Sequence, residues 1–180
     1  FQLAALGYQD TEPLDIFFNR YLDNPNFSAD MKLRGLKETG LTLTQFEQQA
    51  QPLVVVRAFI QQVLQRRLPL VFWDQGNDLH LLQNILALYY EQLTPTEQAV
   101  LQTPLVVFDG SLYTNEVINR SNHQHDNRHF LPLNGVAGLF NIFNPHQHNA
   151  LWDAQTTHYV VNALARFKRT APLILSAPRP

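Results

Sequence analysis

The chain contains no cysteine, which excludes disulfides and thiolate zinc sites and suits a reducing compartment. The cytoplasm is therefore the expected location. No apolar stretch approaches the roughly 20 residues needed to cross a bilayer; runs such as Leu53-Val54-Val55-Val56 fall far short, and no membrane partner is expected. Neither a signal peptide nor an initiating Met is visible, so a natural N-terminus upstream of Phe1 is expected. An excess of basic charge is missing as well, the formal net charge being −2. That excludes a protein which coats nucleic acid through many Lys and Arg contacts to phosphate. It does not exclude an enzyme that grips a strand end locally, because bound cations would offset its carboxylates. Repeats, low-complexity tracts and an obvious linker are also lacking.

What is present is 180 residues with 45% hydrophobic content, enough for one globular domain over residues 1–180 with a sizeable core. Strands are predicted at Phe1 to Tyr8, Leu14 to Leu22, Leu70 to Trp73 and Leu105 to Phe108, the last two being short apolar runs of the buried parallel kind. Helices are predicted over Pro52 to Leu64, Asp78 to Tyr90 and Asn149 to Phe167, from apolar residues at helical spacing. Thr94-Pro95-Thr96-Glu97 is a capping box with Pro at the first helical position, which starts another helix. Arg166, Lys168 and Arg169 gather at the end of the last helix, where cations complement its dipole. Thr170 to Pro180, with three prolines, reads as a surface tail.

Two stretches carry chemistry. In His148-Asn-Ala-Leu-Trp-Asp153-Ala154 an imidazole stands five residues ahead of a carboxylate. On one helix these side chains would sit about 140° apart at roughly 100° per residue. They converge only if His148 lies in the loop before the helix, and Asn144-Pro145-His146-Gln147 reads as that loop. The second stretch runs from Leu70-Val71-Phe72-Trp73 through a polar turn to Asp78 and an apolar helix.

In this order and separation, the two stretches resemble the second and third motifs of the DEDDh family of 3′→5′ exonucleases. The likeness covers nearly the whole chain: Phe1 to Tyr8 with Leu14 to Leu22 resembles the family's hairpin, and Lys32 to Gln65 its first helical region. It implies a ribonuclease H-like α/β fold, a mixed sheet flanked by helices, with Asp78 and Asp153 as metal ligands and His148 as the catalytic base. The implied cofactors are two Mg2+ or Mn2+ ions, and the implied partner is the 3′ end of DNA or RNA. The chemistry is coherent, since two hard cations held by carboxylates roughly 4 Å apart both activate water and neutralise the phosphate. A neutral imidazole would accept the proton from that water.

One family element is missing, an opening strand bearing Asp-x-Glu. Asp10-Thr11-Glu12 matches its letters, but between two apolar runs and followed by Pro13 it reads as a hairpin turn. An upstream strand is expected to supply the motif. The alternative is a degenerate, non-cutting member that binds nucleic acid or a protein. A zinc site from His123, His125, His129, His146 and His148 is a weaker alternative, as the stretch from Asn119 to His129 reads as a polar loop near the cleft. Trp73, Phe72 and Tyr113 are candidates for stacking on bases, with core packing favoured for Phe72.

Overall fold

Alternating apolar residues at the start of the chain fold back on themselves in the computed structural model. It describes residues 1–37, 39, 41–122 and 131–175, the side chains of 119–122 and 168–175 aside. Strand β1 (Gln2–Gln9) pairs antiparallel with β2 (Glu12–Tyr21). Asp10 and Thr11 form the two-residue turn between them, with Asp10 in the left-handed region at φ 54°, a conformation that Asp and Asn tolerate better than most residues. Asp10-Thr11-Glu12 is thus a hairpin turn. The register shifts between Leu6 and Tyr8. Gly7 is required there, because a Cβ would lie 2.7 Å from Ile16 Cβ.

Three helices follow: α1 (Ala29–Leu36), α2 (Leu43–Gln49) and α3 (Pro52–Gln62). The first two, which periodicity did not reveal, are short and are started by side-chain caps, Ser28 to the Met31 amide and Thr42 in a capping box with Gln45. Helix α3 buries Val55, Val56, Phe59 and Ile60 against Phe18 and Leu22 of the hairpin, Phe18 meeting Phe59 edge-on at 5.2 Å. Each such side chain contributes about 1.5–3 kcal/mol when fully buried.

Strand β3 (Leu70–Phe72) then pairs in parallel with β4 (Val107–Asp109), connected through α4 (Gln75–Tyr89) and α5 (Pro95–Gln102). Alternation along β3 sorts its neighbours. Leu70 and Phe72 pack on the α3 cluster, while Trp73 enters a second cluster. That second cluster is built by α6 (Gly110–Asn122), α7 (Leu133–Leu139) and α8 (Ala150–Leu175).

The architecture is mixed α/β, more helix than strand. The expected single mixed sheet is corrected: among the described residues there are two separate two-stranded sheets, β1 with β2 and β3 with β4. Strand β4 begins at Val107 rather than Leu105, because only the residues level with Leu70 to Phe72 find pairing partners. Helix α4 starts at Gln75, earlier than Asp78, because Asp74 accepts the Asn77 amide and caps it. The tail expected from Thr170 is helical as far as Leu175; one proline removes one helical hydrogen bond and need not end a helix. Part of the expected loop, Asn119 to Asn122, continues α6, whereas His123, His125 and His129 lie outside the described residues. Among the described residues no helix is long and apolar enough to cross a membrane.

Candidate active site

The C-terminal ends of the parallel strands open toward the starts of α4 and α6, where α/β proteins commonly place their ligands. Both helix starts are capped by carboxylates, Asp74 accepting the Asn77 amide at 3.3 Å and Asp109 the Leu112 amide at 2.8 Å. Gly110 lets the start of α6 lie close against β3. A Cβ on Gly110 would lie 3.2 Å from the Phe72 carbonyl oxygen and 3.5 Å from Val161 of α8.

Asp78 and Asp153 therefore occupy matching positions. Each stands four residues after the residue that caps its helix, and each donates its amide to that residue's carbonyl at 2.9 Å, Asp74 for one and Asn149 for the other. The carboxyls are close enough that the charge of Asp153 helps to raise the pKa of Asp78 above its usual value. Loss of hydration is the larger cause, in a residue that is still exposed to solvent. Asp74 adds to the repulsion.

Asp153 is held more firmly. Its carboxylate accepts Asn144 Nδ2 at 2.8 Å. Asn144 is itself buried, donates to Asn134 Oδ1 at 3.1 Å and accepts the His146 amide at 3.2 Å. Burial raises the Asp153 pKa, and the Asn144 bond, the His148 charge and a bond from the His148 backbone lower it in part. His148 lies in the loop before α8, as its spacing from Asp153 demands, with a left-handed φ of 65°. That conformation turns its backbone toward Asp153 while the side chain stays exposed. Asp78, His148 and Asp153 are thus brought to one corner.

Several participants were not legible as such. Asn144 and Asn149 read as generic loop polars, and only the fold shows that one pins Asp153 while the other accepts the Leu151 amide at 3.1 Å. The first turn of α8 leaves little for an anion, since the Ala150 amide also goes to Gln2 Oε1 at 3.1 Å. Phosphate at this corner would therefore need cations rather than a bare helix end. Asp78 and Asp153 suit hard cations by their chemistry, yet among the described residues no group of three or more His, Asp or Glu could hold a metal ion.

The suggested stacking residues divide differently. Trp73 is buried, its Nε1 donating to the Leu131 carbonyl at 3.2 Å, and Phe72 packs on the core. Tyr113 packs against Phe108 with ring centres 5.3 Å apart. Exposed rings stand instead at Phe143 and Trp152, next in the chain to Asn144 and Asp153, and His146 lies 5.2 Å from Trp152 between ring centres. The side chains of Lys168 and Arg169 lie outside the described residues.

Compared with protein-family models, curated proteins and solved structures, the chain matches none.

Proposed function

We propose that the protein is a metal-dependent 3′→5′ exonuclease of the ribonuclease H-like type, acting on DNA or RNA ends in the cytoplasm. The observation that carries this reading is the meeting of Asp78 and Asp153, distant in sequence, at matching helix starts with His148 beside them. Two carboxyls with raised pKa values at one corner repel each other, and a divalent cation shared between them would relieve that repulsion. In this reading Asp78 and Asp153 would hold Mg2+ or Mn2+, which would supply activation of water, and His148 would take the proton from that water. Two carboxylates offer too few oxygens for two cations. The reading therefore requires further oxygen ligands, the part that the Asp-x-Glu of the resemblance would play.

The test is release of nucleotides from a 3′-labelled oligonucleotide with Mn2+. Asp153→Asn should abolish release, and His148→Ala should lower turnover by about 10²–10⁴-fold, the usual contribution of a general base. Undiminished rates in either variant remove that residue from the mechanism.

A second reading is a degenerate relative that binds nucleic acid or a protein without cutting. It is favoured by the lack, among the described residues, of a third carboxylate or histidine at metal-holding distance.

A further inference from the structure

The tip of the β1–β2 hairpin meets α8 in one small cluster of rings and amides. Tyr8 lies flat on His158, with ring centres 3.5 Å apart and planes 11° from parallel, and Tyr159 tilts against the same imidazole at 5.5 Å. Asn162, one turn further along α8, ties this ring to the hairpin turn. Its Nδ2 donates to the Asp10 carbonyl at 3.3 Å and lies 3.1 and 3.3 Å from the two ring nitrogens of His158. The Asp10 carbonyl fixes which way the amide points, because a flipped amide would set its oxygen against another acceptor. A donor therefore faces the imidazole, and only a neutral imidazole has a ring nitrogen free to accept.

We propose that His158 is a pH-sensitive latch whose neutral ring holds the hairpin tip on α8 and whose imidazolium releases it. Protonation puts donors on both ring nitrogens, against the Asn162 donor. Turning the amide to offer its oxygen would set that oxygen against the Asp10 carbonyl, so either response loses the tie between turn and helix. The hairpin tip brings the titratable groups Tyr8, Asp10 and Glu12 to this contact, and α8 adds Tyr159 and, two turns on, Arg166. Burial alone lowers the His158 pKa, and no charge among the described residues offsets it. Helices α6 and α7 pack on Val160 and Leu164 of α8. That face lies about 120–160° around the helix from His158, so their charged groups point elsewhere. The tip is fully held above about pH 6.5, the ordinary histidine value, and is released as pH falls through the lower value of the docked ring. The release is local, because Phe18 and Leu22, far from the turn, stay in the α3 cluster.

The experiment is an NMR titration of the whole chain that follows magnetisation transfer between the Tyr8 and His158 rings. That transfer should be strong at about pH 8 and fade as the imidazole titrates toward about pH 5, while contacts between β3 and β4 persist. The ratio of released to docked tip should rise by up to about 30-fold over that range, the ceiling for a ring whose released pKa is near 6.5. His158→Phe keeps a ring against Tyr8 but has no proton to gain, so its ring contact should be the same at both ends of the titration. Asn162→Leu should leave the tip looser at neutral pH and less responsive to acid. Ring contacts that survive full protonation of His158 overturn the latch. Equal release in His158→Phe also overturns it, because the pH dependence would then belong to Asp10 or Glu12.

Discussion

At the scale of single residues, the candidate site is electrostatically uncomfortable, and that discomfort is measurable. Asp78 is raised in pKa by loss of hydration and by the charges of Asp74 and Asp153, only partly offset by a hydrogen bond from the Asp74 backbone. Asp78→Asn should therefore raise the melting temperature of the cation-free protein. Water screens this exposed group, so the gain should be about 0.5 kcal/mol or less. A loss of stability in urea titrations at pH 7 would show that the charge is welcome there. His158 poses the reverse case. Its ring stacks on Tyr8 at 3.5 Å with planes 11° apart, Asn162 Nδ2 lies 3.1 Å from it, and burial lowers its pKa. The unfolded chain, with a histidine near pKa 6.5, binds the proton more readily. This group's contribution is thus complete above about pH 6.5 and is lost as pH falls through the lowered folded value. The stability difference between the unmodified protein and His158→Phe should shrink between pH 7 and 5, as followed by thermal melts across that range. An unchanged difference would mean that the ring binds its proton equally well in both states.

Among elements, the tight contact is that of β3 and α6 at Gly110. A methyl group there would lie 3.2 Å from the Phe72 carbonyl oxygen, which is backbone and must give by a few tenths of an ångström. Gly110→Ala should cost about 1–3 kcal/mol, the usual penalty for overpacking, as urea denaturation would measure. The same scale shows why some elements escaped a reading of the sequence. Helices α1 and α2 have eight and seven residues, too few turns for a period to stand out, and their caps are the main local signal. Helices α3, α4 and α8 are longer, and their apolar stripes announced them.

For the molecule as a whole, the two small sheets lie against a shared cluster, since Leu3 and Ala5 of β1 and Leu70 and Phe72 of β3 pack on the same buried residues. A ligand that engages Asp78 and Asp153 would tie α4, from one side of β3, to α8, from the other. Mn2+ should accordingly raise the global melting temperature by mass action, by RT ln(1 + [L]/Kd), and Asp78→Asn should abolish the rise. A melting temperature indifferent to millimolar Mn2+ would favour the non-cutting alternative.

The sequence by itself determined the local pieces: the hairpin turn at Asp10-Thr11, the capping box at Thr94, the place of His148 in a loop before a helix bearing Asp153, and two short parallel strands near Leu70 and within Leu105 to Phe108, though these are only half-buried and the second starts at Val107. These follow from steric preference, hydrogen-bond caps and hydrophobic period, which act over a few residues. Only the tertiary structure decided that the strands form two sheets, that Trp73 is core while Trp152 faces water, and that Asn144 reaches across nine positions to hold Asp153. Those outcomes depend on which apolar faces find each other and on the loss of hydration when they do, and neither is encoded in any short stretch of chain.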